Sequence, residues 1–392
     1  MKILAFAWEF PPRIVGGIAR HVAELYPELV KLGHEVHLVT VEFGQAPGFE
    51  IVEGIYVHRV PVGYANDFFH WVVLMNEAMG ARGGKLILEE GPFDLVHAHD
   101  WLVQDAGLAL KANFKLPLVA TVHATEYGRY NGIWTDTQRY IHAKEASLTH
   151  EAWRVIVCTE YMRGEVDRAF GCPWAKVDVI PNGIRAAKKE RVFDRDEFRR
   201  RYAYDHEQII YYVGRMAFEK GVHVLVEALP RVLREFADAK FVIIGGGNTD
   251  HLRRRVGELG LSHKCYFTGF MSDQDLDCFQ QVADCAVFPS LYEPFGIVAL
   301  EGFASGVPVV VSDTGGLPEV VQHTRTGVVT YTNNPDSLAW GILEVIRYPA
   351  YAQWLRDNAR QAVKNHFAWL GIAEQTASVF ERVVYERHTS GW

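Results

Sequence analysis

Short apolar runs alternate with longer amphipathic stretches along the whole chain. Such runs, separated by helical stretches, are typical of parallel β-sheets that are covered by helices on both faces. Strands are predicted in the first half at 3–7, 36–41, 55–60, 95–98, 118–122 and 155–158, and in the second half at 209–213, 241–244, 265–267, 285–288, 307–311 and 327–330. The pattern therefore predicts an α/β protein built on doubly wound sheets.

The chain is long enough for two domains, and its pattern changes near residue 183. A single hydrophobic core stops growing at about 250–300 residues, and this chain has 392. The segment 185–201 is rich in charge and poor in apolar residues, and a new alternation begins at Ile209. We therefore predict two Rossmann-like domains with a ligand cleft between them, since open α/β sheets bind ligands at the carboxyl ends of their strands.

Helical spacing and charge add further expectations. Ile18, Val22, Leu25 and Leu29 recur at helical spacing, and Gly33 suits the left-handed residue that ends a helix. The net charge of −8, with no basic block, argues against a nucleic-acid partner. No run approaches the ~20 apolar residues of a membrane span. The five cysteines form no C-x-x-C pair, and a cytoplasmic location is expected. Nothing in the sequence sets an oligomeric state.

Two glycine-containing loops each follow a predicted strand and open a predicted helix. The first, 8–17, ends in Gly16 and Gly17, where backbone amides can approach an anion closely. The second, 214–221, contains Arg215 and Lys220, two cations able to stabilise a departing diphosphate without a metal. The alternatives are a tight turn that needs glycine for its dihedrals and an exposed basic pair of little energetic value. Their position between strand and helix favours function.

Two glutamates, Glu293 and Glu301, flank the beginning of another predicted helix. Pro294 and Gly296 lie between them and interrupt any helix there, so the first glutamate belongs to a loop and the second to the helix. Glu301 could cap free helix amides. A carboxylate in this setting can also bind both hydroxyls of a ribose.

Polar residues end two neighbouring strands of the first half. His97, His99 and Asp100 end one strand, and His123 and Glu126 follow the next. Because side chains alternate along a strand, both histidines of the first pair should point the same way. A metal site is one interpretation, but a zinc site needs further ligands in a fixed geometry. Positioning of sugar hydroxyls is the favoured interpretation.

These segments together resemble glycosyltransferase family 4, a family with the GT-B fold, over nearly the whole chain. The motifs that carry the resemblance are Trp-Glu-Phe-Pro-Pro at 8–12 with the paired glycines, the loop 214–221, the segment 293–301, and Gly-Gly-Leu-Pro-Glu at 315–319. The segments 97–102 and 123–129 are similar to those of α-glucan glucosyltransferases such as glycogen synthases. Those enzymes carry a lysine two residues before the paired glycines, where this chain has Ile14, with Arg13 one residue earlier.

The resemblance implies an N-terminal acceptor-side domain, 1–182 plus 366–392, and a C-terminal donor-binding domain, 183–365. Arg215 and Lys220 would hold the donor phosphates, Glu301 the ribose, and Glu293 the transferred sugar. Donor-binding backbone amides would come from Gly16, Gly17, Gly296, Ile297 and Val298.

On the acceptor side the resemblance places His123 beside the anomeric carbon, with Asp100 and Glu126 near the acceptor. It implies a retaining transferase with no cofactor and no metal, which moves a hexose, glucose first, from ADP- or UDP-sugar to the non-reducing end of an α-1,4-glucan or another glycoside. The alternatives are another hexosyltransferase, such as a mannosyltransferase, a nucleotide-sugar epimerase, a hydrolase, and a binding module without turnover. The epimerase would isomerise the donor alone.

Overall fold

A computed structural model describes residues 1–185 and 193–392 of the chain. The chain divides into two compact units, the first formed by Met1–Gly183 with Trp369–Trp392 and the second by Ile184–Ala368. The domain boundaries predicted from the sequence, after residues 182 and 365, lie within three residues of these bounds.

The first unit holds an eight-stranded sheet. Its elements up to residue 183 are β1 (Lys2–Phe6), α1 (Gly17–Lys31), β2 (Glu35–Val41), β3 (Phe49–Val52), β4 (Ile55–Val60), α2 (Phe68–Glu90), β5 (Leu95–His99), α3 (Gln104–Phe114), β6 (Leu118–Val122), α4 (Glu126–Tyr130), α5 (Asp136–Glu151), β7 (Arg154–Val157), α6 (Glu160–Phe170) and β8 (Val177–Val179). The strand order is β3-β4-β2-β1-β5-β6-β7-β8, parallel except where β3 pairs with β4. The carboxyl ends of β5 and β6 are therefore neighbours.

The second unit holds a six-stranded sheet in which each described strand pair is parallel. Its elements are α7 (Arg195–Arg200), β9 (Gln208–Val213), α8 (Val222–Glu235), β10 (Ala239–Ile244), α9 (Asp250–Glu258), β11 (Cys265–Gly269), α10 (Asp273–Gln280), β12 (Cys285–Phe288), α11 (Ile297–Ser305), β13 (Val309–Ser312), α12 (Leu317–Val320), β14 (Val328–Thr330), α13 (Pro335–Arg347) and α14 (Pro349–His366). The order β11-β10-β9-β12-β13-β14 places β9 beside β12. The loops that follow these two central strands lie next to each other.

The last helix, α15 (Trp369–Ser390), belongs to the first unit. Its buried face, which includes Ile372, Phe380 and Val383, joins the same hydrophobic core as α1 and the strands of the first sheet. Packing of α15 on α1 therefore completes that core, although α15 is far from it in sequence.

All twelve predicted strands are present, and the helix predicted after the first strand is α1. Its four apolar residues at helical spacing are buried. Gly33 has a φ of +86° and its amide donates to the carbonyl of Val30 at 2.9 Å, which confirms the predicted helix end. In the part of the chain that the structure describes, no helix combines the length and the apolar character needed to cross a bilayer.

Candidate active site

The loop between β9 and α8 presents Arg215 to solvent. The Arg215 side chain is 61% exposed, and its guanidinium lies 3.2 Å from the Glu219 carboxylate. Its backbone carbonyl accepts a hydrogen bond of 2.9 Å from the Tyr212 hydroxyl, which fixes the turn that holds it. An exposed arginine on a fixed backbone can reorient to bind a ligand phosphate in a bidentate manner.

Lys220 and Glu293 are brought together although they are 73 residues apart. The Lys220 ammonium donates to Glu293 Oε2 at 2.8 Å, and the two side chains are 22% and 11% exposed. The Ser290 hydroxyl lies 3.5 Å from the same oxygen and is therefore a weaker partner for it than the Lys220 ammonium. The pair places a cation and a carboxylate side by side at the carboxyl end of the second sheet, where an anionic ligand would compete with the glutamate for the lysine.

Backbone contacts lock the two loops that carry this pair. The carbonyl of Glu219 accepts hydrogen bonds from the amides of Leu291 at 2.8 Å and Tyr292 at 3.2 Å. Gly221 has a φ of +67°, and a Cβ there would lie 1.8 Å from the carbonyl oxygen of Pro289. Only glycine permits this approach, because any side chain would collide with backbone that cannot rotate away.

Replacing Gly221 with alanine is therefore expected to destabilise the second unit strongly. The left-handed conformation alone costs alanine about 1–2 kcal/mol, and the enforced separation of two backbones adds about 1–3 kcal/mol. Gly260→Ala is the matched control, because Gly260 has a similar φ of +73° with nothing within 4 Å of an added Cβ. Urea unfolding midpoints of the two variants give the comparison. Equal shifts in the two midpoints would show that the close approach of Gly221 to the Pro289 carbonyl does not contribute to the loss of stability.

The segment after Glu293 forms a glycine turn and then helix α11. Gly296, with a φ of +107°, is the residue before the helix and has no side chain with which to cap the helix amides. The carbonyl of Glu293 accepts a 2.8 Å hydrogen bond from the amide of Gly316, which ties the turn to the segment that follows β13. Ile297 and Val298 form the first turn of α11 and are half-buried. An uncapped first turn next to Glu293 favours a bound anion.

Glu301 is half-buried and is the fifth residue of α11, one turn beyond those amides. The structure thus brings Lys220, Glu293, Gly296 and the beginning of α11 together. Arg215 lies in the same loop as Lys220, between β9 and α8, and Glu301 lies in α11.

In the first unit, the loop that leads into α1 is organised by a buried carboxylate. Glu9, 1% exposed, accepts hydrogen bonds from the amides of Val15 and Gly16, the latter at 2.9 Å. The amide of Gly16 is therefore already used within the loop. Gly17 is the first residue of α1, whose first turn has no side-chain cap. Of the paired glycines, Gly17 is thus the one placed to offer an amide to a ligand.

Arg13 lies among aromatic rings in the same loop. Its guanidinium carbon is 5.2 Å from the ring centre of Trp8, 5.3 Å from that of Trp71 and 5.7 Å from that of Phe43. Partial burial lowers the pKa of Arg13, and the nearby Glu9 carboxylate opposes that shift. Arg13 therefore contributes to a cationic, aromatic surface of the loop, which is a different environment from that of an exposed lysine.

The two histidines of β5 face the same side, as predicted from strand alternation. The Tyr26 hydroxyl, on α1, lies 3.0 Å from His97 Nδ1 and 2.6 Å from His99 Nε2. His97 Nε2 lies 2.7 Å from the hydroxyl of Thr121 on β6. A continuous hydrogen-bonded chain therefore connects β6, β5 and α1.

His123 continues this chain to the edge of the site. Its Nε2 lies 3.0 Å from His99 Nδ1, and its backbone amide donates to Asp100 Oδ1 at 2.7 Å. Burial lowers the pKa of both His99 and His123 well below the ordinary value, so the rings are neutral at neutral pH. Burial raises the pKa of Asp100 to about 7. His123 itself is half-buried, so a ligand can reach it.

A set of carboxyl groups holds the turn that follows His123. The amide of Glu126 donates to both oxygens of Glu145, at 3.0 and 3.1 Å. Burial raises the pKa of Glu126, with Arg129 opposing, and it raises the pKa of Glu145 to about 9. A protonated Glu145 carries no charge, so it can be buried near Asp100 and Glu126 without repulsion between carboxylates.

Several supporting residues were missed by the sequence analysis. They are Glu9, His21, Tyr26, Asn182 and Glu145. His21 had a detectable signal, because it falls three residues after Ile18 on the buried face of α1. Tyr26, Asn182 and Glu145 have partners on other elements of the chain, and no local pattern marks them. Glu9 lies within the 8–12 motif and accepts hydrogen bonds from amides six and seven residues further along.

Comparisons with known proteins identify the family of the chain. Two family descriptions match, "Glycosyltransferase Family 4" over residues 15–188 and "Glycosyl transferases group 1" over residues 194–362. An uncharacterised glycosyltransferase of Methanocaldococcus jannaschii is 39% identical over 97% of this chain and 98% of its own length. A glycogen synthase of Mycobacterium tuberculosis is 37% identical over 97% of this chain and 94% of its own.

The solved structures give the same result for the fold. A sucrose-phosphate synthase from Thermosynechococcus elongatus superposes with a TM-score of 0.82 at 25% identity and covers 98% of this chain and 99% of its own. Because the match covers almost all of both chains, each of the two units has a counterpart in that structure. On these similarities and the two mainly parallel sheets, the chain belongs to glycosyltransferase family 4 and has the GT-B fold.

Proposed function

We propose that the protein is a metal-independent, retaining hexosyltransferase that moves glucose from ADP- or UDP-glucose to the non-reducing end of an α-1,4-glucan. The observation that carries the proposal is the Lys220–Glu293 pair beside the uncapped beginning of α11. It supplies a cation and helix amides for the diphosphate and a carboxylate for the sugar. Glucose and the glucan acceptor are proposed because a glycogen synthase is similar over almost the whole chain.

In the proposed reaction, an acceptor hydroxyl attacks the anomeric carbon from the face that the diphosphate leaves. The carbon–oxygen bond to the phosphate breaks, the bond to the acceptor oxygen forms, and the acceptor proton passes to the departing phosphate. Arg215 and Lys220 stabilise the negative charge as it grows, and Glu301 binds the ribose. His123 and Asp100 belong to the acceptor side, with Glu126 in the turn behind them. No protein nucleophile takes part.

A donor panel tests the proposal. ADP-glucose, UDP-glucose and GDP-mannose are each incubated with short maltooligosaccharides, and products are read by mass spectrometry and by NMR of the new anomeric centre. We expect chains one hexose longer, with an α-linkage, from a glucose donor. Extension only with GDP-mannose would identify a mannosyltransferase. Donor isomerisation without an acceptor would identify an epimerase, and release of free hexose would identify a hydrolase. Tight donor binding without turnover would indicate a binding module.

Metal independence is a separate expectation. The Asp-x-Asp patterns of the second unit lie at the beginnings of α7 and α10, where Asp194 accepts the amide of Glu197 and the hydroxyl of Ser272 donates to Asp275. Because Arg215 and Lys220 supply the positive charge, turnover in excess EDTA should be no lower than turnover in its absence. Rates are measured after EDTA treatment and again after adding Mg²⁺ or Mn²⁺. Activity lost on chelation and restored by either ion would contradict the role given to the two cations.

The cytoplasm is the proposed compartment. All five cysteines are buried, the usual setting for reduced thiols that serve as small apolar side chains.

A further inference from the structure

We infer that His21, His99 and His123 form a binding site for one transition-metal ion, such as Zn²⁺, and that this ion inhibits the enzyme. One ring nitrogen from each of the three histidines lies within 4.8 Å of the others. The three residues come from α1, β5 and the turn after β6, all within the first unit. Binding at this site is independent of the proposed function, whereas the inhibition rests on the role proposed there for His123.

The spacing is close to that of a tetrahedral site. Zinc–nitrogen bonds of about 2.0–2.1 Å at tetrahedral angles separate two ligand nitrogens by about 3.3 Å. His99 Nδ1 and His123 Nε2 are 3.0 Å apart. The centre of the His21 ring is 4.8 Å from that of His123 and 5.3 Å from that of His99. The three ligand nitrogens lie within 4.8 Å of one another, so the His21 nitrogen is at most about 1.5 Å beyond the tetrahedral separation.

His21 carries the strongest sign of a missing ligand. It is 7% exposed, and its Nε2 has no hydrogen-bond partner among residues 1–185 and 193–392. Its Nδ1 lies 2.7 Å from Asn182 Oδ1, which as an acceptor requires a proton on Nδ1. The lone pair is then on Nε2, which is the buried nitrogen without a partner among the described residues, in a ring that packs against those of His99 and His123. Metal-binding histidines have this arrangement, with the second ring nitrogen donating to an oxygen.

The hydrogen-bonded chain behind His99 can hold that ring in the same way. With a proton on Nε2, His99 donates to the Tyr26 oxygen, Tyr26 donates to His97 Nδ1, and His97 donates to the Thr121 hydroxyl. His99 Nδ1 is then free to bind a metal. His123 needs only its proton on Nδ1 to offer Nε2.

The ligand set selects the ion. Imidazole nitrogens suit Zn²⁺, Cu²⁺, Ni²⁺ and Co²⁺, whereas Mg²⁺ and Ca²⁺ prefer oxygen ligands. Three protein ligands leave a fourth position for water. The ion would occupy Nε2 of His123, the nitrogen that lies beside His99, and would replace the ring contact to His99 that holds His123 in place.

Metal titration of the full chain tests the site without any turnover. Co²⁺ is followed by visible absorption, since tetrahedral Co²⁺ absorbs strongly, and Zn²⁺ by calorimetry. We expect one ion per chain. His21→Gln should weaken binding by at least about 100-fold, and Asn182→Ala by about 10–100-fold, the usual effect of losing an outer partner. His58→Gln is the matched control, because His58 is also buried and pairs with another histidine, His37, at 3.1 Å.

The outcomes separate clearly. No binding by the wild type, or equal affinity in wild type and His21→Gln, overturns the site. If His21→Gln fails to fold, judged by circular dichroism, Asn182→Ala decides alone, since it retains all three ligands. For the inhibition, the ratio of turnover with and without Zn²⁺ should be low for wild type and near one for His21→Gln. Binding without inhibition would retain the site and reject its effect on transfer, and the donor panel tests that transfer separately.

Discussion

Lys220→Ala is expected to lower the turnover of sugar transfer by about 10²–10³-fold, the usual effect of removing one preorganised electrostatic group. The charge of the leaving diphosphate grows as the bond to the sugar breaks, so the lysine stabilises the transition state more than the bound donor. Arg215→Ala is expected to act in the same direction. Steady-state kinetics with a saturating acceptor, together with donor affinity from calorimetry, measure the effect.

The protein contains a matched control for this experiment. Lys264 pairs with Glu207 at 2.7 Å, with side chains 17% and 4% exposed, so the pair resembles Lys220–Glu293 in geometry and burial. Lys264→Ala should reduce stability and leave turnover near the wild-type value. Glu301→Ala should chiefly weaken donor binding, because its proposed partner is the ribose. Near-normal turnover in both Lys220→Ala and Arg215→Ala would show that the loop between β9 and α8 is not at the reaction centre.

His123→Ala is expected to reduce turnover by about 100-fold while donor affinity changes by no more than about threefold. Small errors in the position of the reacting groups cost about this much, and the amide bond to Asp100 with the ring contact to His99 holds His123 in place. Turnover, donor affinity and the melting temperature are measured on the same preparation.

The competing interpretation of His123 is a core residue that only satisfies its neighbours. In that case the melting temperature would fall sharply, and turnover and donor affinity would decline in proportion. His58→Ala is the comparison, because His58 is 4% exposed and lies 2.9 Å from Arg82 as well as beside His37. It should lose stability with little loss of turnover. A similar profile for both variants would reject a positioning role for His123.

Twelve of the fourteen described strands were predicted from sequence because each contains a short apolar run, and these include the edge strands β11 and β14 of the second sheet. The two that were missed, β3 and β8, are edge strands of the first sheet. In β3 the residues alternate between exposed and half-buried, and β8 has three residues with Asp178 in the middle. An edge strand pairs on one side only and therefore tolerates polar residues, so its pattern resembles a loop.

The site was predictable as far as its residues lie next to glycine turns or at strand ends. Lys220, Glu293 and His123 all have such neighbours in the chain. The pairing of Lys220 with Glu293 was not predictable, because it depends on β9 and β12 being adjacent in the sheet. The same holds for His21 and Asn182, which are 161 residues apart. Sequence patterns identify residues at turns, but spatial partnership between segments requires the strand order.

The place of α15 in the first unit has a consequence for biosynthesis. Phe380 and Val383 are part of the core that contains β1 and α1, yet the ribosome makes them after the entire second unit. At about 5–20 residues per second, that interval lasts about 10–40 s. The second unit can reach its final packing while the first still lacks a helix, with part of its apolar surface open to water. The earliest part of the chain to be translated is therefore the last to be completed, and nascent chains would depend on chaperones at its open face.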